Sequence, residues 1–227
     1  VQAAFLPQNT ASTLSISPNV RNVIQFLQTL QVEVTPDMKA GKVLLKLPLH
    51  PKSLTNPLIE AAADSHQHYK ILHMDASVTS GGTAAAGFTY ATGSTTDAHV
   101  TLGDNANAQI LAWGGRSMPS WTPSQAQKVQ LANTHKRYAC ETTTSNMDTA
   151  LQGMYAMALA SDPHFADGTV TVDVILSGKI EFFNRRAPPR SAAGVNLIFP
   201  GDQKLGLDAN GLCDMSWFHG VNLVEGV

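Results

Sequence analysis

With 227 residues, 43% of them hydrophobic, the chain can bury one sizeable core, and we expect a single domain with tails. Charged residues make up only 14%, against roughly 25% in an average soluble chain, so part of the surface is expected to be covered by something else. The formal net charge of -2 excludes a polycation, and any nucleic-acid contact must come from a local patch or from residues outside this chain.

No stretch approaches twenty consecutive apolar residues, and VQAAFLPQNT has no basic segment leading into an apolar run, so neither a membrane span nor a signal peptide is expected. The chain opens on Val1 rather than Met, which is consistent with a piece upstream. Cys140 and Cys213 cannot be paired from sequence, and reduced thiols are expected.

Residues 1–38 mix Ser, Thr, Asn, Gln and Pro, and we read them as an N-terminal arm. Within the arm, Val23, Ile24, Phe26, Leu27 and Leu30 cluster near helical spacing, which predicts one short helix over 20–30. From Lys42 the string KVLLKLPLHP places Val43, Leu45 and Leu47 on one face and Lys42 and Lys46 on the other. That is a strand, closed by Pro48 and Pro51. Asn56 then caps a helix whose first residue is Pro57 and which ends near His68. Tyr69, Ile71 and His73 alternate with Lys70, Leu72 and Met74 in a strand running toward Val78, with a turn at Ser80, Gly81 and Gly82.

Residues 83–92 read as a small-residue strand and 93–107 as a polar loop holding Asp97, Asp104, Asn105 and Asn107. Residues 110–113 begin another apolar segment, and 128–134 and 137–143 read as two strands. ALQGMYAMALA fits helix or strand. The alternation of Tyr155, Met157 and Leu159 after Gly153 favours strand. A link containing Asp162-Pro163 and Asp167-Gly168 leads into the longest alternating run, 169–183. There Val170, Val172, Val174, Leu176, Ile180 and Phe182 share one face, and Gly178 marks a bend or a close backbone approach.

The pattern is that of an all-β sandwich of about eight strands with one or two short helices. After a linker beginning near residue 187, residues up to 227 form a C-terminal tail expected to pack on the sandwich or on a neighbour.

The arm, GKVLLKLPLHP, the helix into HQHYKILHMDASVTS, the Gly-rich turn, MPSWTPS, and the final hairpin GMYAMALA to GTVTVDVILSGKIEFF follow a familiar order. Over residues 39–186 the chain resembles the shell domain of capsid proteins from small icosahedral positive-strand RNA viruses. The resemblance implies an eight-stranded antiparallel jelly roll, many identical subunits closing into a shell, genomic RNA as partner, and a virion assembled in the host cytoplasm. Many such proteins carry an Arg- and Lys-rich arm that residues 1–38 lack. Either that arm lies upstream of Val1, or RNA is bound weakly.

Lys39, Lys42, Lys46 and Lys52 form the only acid-free basic cluster of any length, and read either as a solvated strand face or as an RNA-facing patch. Asp97, Asp104, Asp162 and Asp167 offer hard oxygen ligands for Ca2+ between subunits, or simply make turns; no cofactor is required. His66, His68 and His73 could suggest a metal-binding cupin, but the next Glu after His68 is Glu141, and structural or surface histidines fit better. No catalytic motif is present. The rival from another class is a carbohydrate-binding sandwich that stacks Trp113, Trp121 or Trp217 on sugar rings.

Overall fold

A computed structural model describes residues 6–16 (backbone only), 22–83, 87–122, 124, 126–133, 135–141 and 146–186. Its strands form two antiparallel sheets. The first runs in the order β1 (Leu6–Ile16), β2 (Asn22–Val34), β10 (Val170–Arg185) and β4 (His66–Ser80), and β4 then pairs with both β7 (Gln127–Lys128) and β8 (Tyr138–Ala139). The second runs β3 (Val43–Pro48), β9 (Met154–Leu159), β5 (Thr89–Thr95) and β6 (Arg116–Pro119). From β2 onward the chain passes repeatedly from one sheet to the other, with β7 and β8 sharing one strand position. This is a jelly roll of eight strand positions, with β1 added at the edge.

The core lies between the sheets. Ile24, Phe26, Leu30 and Val32 from β2, Tyr69, Ile71 and Met74 from β4, and Val172, Val174, Leu176 and Ile180 from β10 meet Leu45, Leu47, Tyr90, Tyr155, Met157 and Leu159 from the second sheet. A smaller cluster on the other side of the second sheet joins Ala91, Ala156 and Ala158 to Ala106 and Ile110 of helix α2 (Ala106–Ala112). Both faces of β9 are therefore covered and all six of its residues are buried, which is why its sequence reads equally as helix or strand.

The long alternating run is β10, with its even positions inward. Gly178 is a close approach: a Cβ there would lie 2.5 Å from the His73 carbonyl oxygen and 3.0 Å from the Phe26 ring. Opposite it, the pairing of β10 with β4 slips, since Lys179 faces His73 while Ile180 faces Ile71, leaving Leu72 as the extra residue of a β-bulge. The bulge resets the parity of β4. Tyr69 and Ile71 are buried before it and Met74, Ala76 and Val78 after it, so His73 points to solvent and Met74 takes the core position expected for it.

Helix α1 (Pro57–Ser65) begins as expected, with the Asn56 side chain accepting from the Leu58 and Ile59 amides at 3.1 and 3.3 Å. It stops at Ser65 because His66 is already extended. The short helix expected over 20–30 is a correction. From Asn22 the chain is β2, an inner strand lying within the stretch read as an arm. Ile24, Phe26, Leu30, Val32 and Val34 alternate inward, but Gln28 occupies the inward position between them, buried and donating to Thr55 Oγ1 at 2.5 Å. A polar residue on the apolar face hid the period of two.

Elsewhere β5 starts later than expected, so that Gly93 is inside a strand, and the apolar segment at 110–113 belongs to α2. The strands expected at 128–134 and 137–143 shrink to the two-residue β7 and β8, and one turn of helix, α3 (Met147–Ala150), follows. The expected tail, residues 187–227, lies outside the described residues, as do Cys213 and Trp217.

Candidate nucleic-acid and assembly surfaces

The lysines at 39–52 do not gather at one point. Lys39 Nζ lies 3.2 Å from Asp162 Oδ2, and Asp162 Oδ1 accepts from the Ala40 amide at 2.8 Å. These contacts, the Ala40 amide first, hold the Asp162 carboxyl below its usual range. The same loop is stitched to the end of β9 by Gly41 N–H to Leu159 O and Leu159 N–H to Lys42 O, at 2.8 and 2.9 Å. Lys46 is exposed on β3, and Lys52, in the single 3-10 turn Pro51–Ser53, pairs with Asp64 of α1 at 2.9 Å. The six residues of β3, about 20 Å long, separate Lys42 at its start from the turn that carries Lys52 beyond its end. Two of the four lysines thus already face carboxylates, in exposed pairs of little energetic weight. Because β3 is an edge strand, its Lys46 also suits the blocking of unwanted edge pairing.

Among the described residues no three His, Cys, Asp or Glu side chains converge as a metal site. Asp97 accepts from the His99 amide at 2.8 Å and so closes its own turn, whereas Asp162 ties its loop to the distant Ala40. Asp104 lies in a turn ahead of α2 and Asp167 in the bend ahead of β10. The three histidines of interest diverge. His66 is buried between Ala62 O and Asn22, with its ring tilted on Phe182; His68 lies near Asn184; His73 meets Asp75 at 2.7 Å. Cys140 is free and buried, and burial pushes its thiol up to about 12. Trp113 is partly buried against the smaller cluster. Trp121 is 42% exposed, and its ring carbon Cε3 lies 2.6 Å from where a Cβ on Gly87 would be.

The basic surface that chain-order reading misses is on the outward face of the first sheet. In the β10–β4 register Glu181 faces Lys70 and Lys179 faces His73. Tyr69 faces Tyr138 of β8, which puts Arg137 beside Lys70. The Arg137 guanidinium lies over the Phe183 ring at 4.3 Å. Arg185 is exposed at the end of β10, and Arg186 is held by Glu141 and by the His66 carbonyl. Lys70 and Lys179 show in the sequence only as the polar phase of two alternating strands, and nothing there tells which residues become neighbours across strands.

No protein-family profile and no curated protein matches the chain. Solved structures do. The T=1 subviral particle of a Penaeus vannamei nodavirus capsid protein deletion mutant matches with a TM-score of 0.57 and 16% identity, over 69% of this chain and 92% of that one. The fold is the viral capsid jelly roll. A semi-empty virus-like particle of Macrobrachium rosenbergii nodavirus gives a TM-score of 0.60 at 12% identity, over 79% of this chain and 97% of that one. Mud crab tombus-like virus gives 0.59 at 13% identity, over 80% and 84%. These capsid structures superpose on most of this chain while sharing few residues, as expected when the inward-outward alternation, rather than particular side chains, specifies the sandwich.

Proposed function

We propose that this chain is the shell domain of a viral capsid protein, a structural rather than catalytic part of a virion assembled in the host cytoplasm. Copies of it self-assemble into a closed icosahedral shell that encloses the RNA genome. The observation that carries this reading is the two-sheet fold, which superposes on capsid chains over 92% and 97% of their length. The low charge content supports it as well, because contacts between subunits commonly bury more than about 1,000 Å² each and are depleted of charge at their centres.

Light scattering with the ratio of absorbance at 260 and 280 nm, in low and moderate salt, tests the reading. Megadalton particles with excess absorbance at 260 nm are expected. A monomer of 24.2 kDa under every condition would refute assembly, and particles without nucleic acid would remove RNA. Repeating the measurement with a chelator tests for Ca2+ between subunits, since dissociation by chelator alone would assign a metal to those contacts.

A further inference from the structure

We propose that the outward face of the first sheet, through Lys70, Arg137 and Lys179 with Arg185 at its margin, binds the phosphate backbone of single-stranded nucleic acid. The proposal rests on the capsid reading and gives this face, rather than the lysines at 39–52, the RNA-facing role. Three observations carry it. First, no carboxylate lies within ion-pair distance of these four residues among the described ones, whereas Lys39 and Lys52 are matched by Asp162 and Asp64. The acids nearest in register are withdrawn or occupied: Glu181 is 5% exposed, and Asp75 is bound by His73 at 2.7 Å. Second, the outward positions around the lysines mix polar and apolar groups, with Gln25 facing Lys179, Ser177 between Asp75 and the exposed Leu27, and Leu72 exposed at the bulge. A strand of nucleic acid crossing them meets hydrogen-bonding groups for its phosphates and apolar side chains for its bases. Third, Arg137 stacked on Phe183 presents a flat guanidinium and ring beside Lys70, the arrangement on which an unpaired base stacks while its phosphate meets the cations.

Four cations give weak binding per copy, with a salt slope of about 3 for a single strand. Many copies in one shell add their effects.

The test uses the full chain and a short fluorescein-labelled oligouridylate, with fluorescence anisotropy followed across a salt series. The triple variant Lys70→Gln, Arg137→Gln, Lys179→Gln is expected to bind at least about tenfold more weakly at low salt, with the slope reduced by about 2. The triple variant Lys39→Gln, Lys42→Gln, Lys46→Gln is expected to stay within about twofold of the parent. Equal losses from both triples would overturn the proposal, as would a parent chain that binds no oligonucleotide. A sheet-face triple that keeps its affinity but forms no particles would show instead that this face meets a second copy. Particles that form without nucleic acid count against the RNA reading of the shell, and oligonucleotide binding still decides the face. Should the sheet-face triple not fold, the exposed single substitution Lys179→Gln replaces it, with a loss of about threefold expected and an unchanged affinity refuting.

Discussion

Replacing Gly178 with alanine should destabilise the sandwich, although alanine is ordinarily the better residue within a strand. Gly178 is not in the left-handed region, so its backbone accepts a side chain, and the smaller conformational freedom of the unfolded alanine chain would by itself add about 0.4–1 kcal/mol of stability. Sterics oppose this. The new Cβ would lie 2.5 Å from the His73 carbonyl oxygen, and 3.0 and 3.1 Å from Cε1 and Cζ of Phe26. The carbonyl belongs to the bulged segment of β4, and the Phe26 ring is 2% exposed in the core, so neither gives way freely. Overpacking of this kind costs about 1–3 kcal/mol, which outweighs the gain. We expect a net loss of about 1–2 kcal/mol for Gly178→Ala, seen as a lower urea midpoint at unchanged slope, and a larger loss for Gly178→Val. At about 2–4 °C per kcal/mol for a domain of this size, the thermal midpoint should fall by several degrees. In a Phe26→Leu background the cost should shrink if the ring is the main obstacle, and persist if it is the carbonyl. A Gly178→Ala protein as stable as the parent would refute the close approach.

Gln152 is fully buried, and its side-chain amide accepts from the Ile71 N–H at 2.8 Å and donates to the Ile71 carbonyl at 3.0 Å, filling the gap in the β4 ladder between β7 and β8. Gln152→Leu strands both groups and should cost about 2–5 kcal/mol, with faster amide exchange at Ile71; unchanged exchange there would refute the role. His50 is 2% exposed, and burial pushes its imidazole down to about 4, with Nδ1 accepting from the Lys52 amide at 3.1 Å. Since the unfolded chain then binds the proton more tightly, stability should be full above about pH 6.5 and fall by up to about 3 kcal/mol as pH drops toward 4. His50→Gln should flatten the dependence of the urea midpoint on pH in that window, and a parallel curve would refute the assignment. Asn56→Ala removes the cap of α1 and should lower stability by about 1 kcal/mol in the same assay; no change would mean the cap contributes nothing.

The fold was legible where a local rule and the tertiary environment agree. β10 keeps its alternation over its length because each inward position meets the core and each neighbouring strand runs beside it, and the Asn56-Pro57 start of α1 is a local cap that needs no distant partner. Legibility failed where a distant contact replaces a local rule. Gln28 faces inward among apolar neighbours because Thr55 meets it, and one polar residue was enough to make Val23, Ile24, Phe26, Leu27 and Leu30 look helical. His73 and Met74 exchange faces because of a bulge set by β10, which leaves no mark within β4 itself. β7 and β8 are short because a side chain, Gln152, completes the ladder that a longer strand would have made.

The same distinction separates the two basic surfaces. Lys39, Lys42, Lys46 and Lys52 are close in sequence, so they are easily seen, but an edge strand spreads them out and Asp162 and Asp64 meet two of them. Lys70, Arg137 and Lys179 are scattered along the chain and brought together by strand pairing, with the local acids buried or bound. Density of charge along a sequence measures attraction to a polyanion only for a segment that stays extended. On a sheet the relevant neighbours lie across the strands, about 5 Å apart, and their sum is fixed by register. A one-residue slip of β4 against β10 beyond the bulge would turn Lys70 inward and dissolve the patch. The bulge at Leu72 and the contact of Gly178 with His73 and Phe26 therefore fix the register of the core and the placement of the outward cations together.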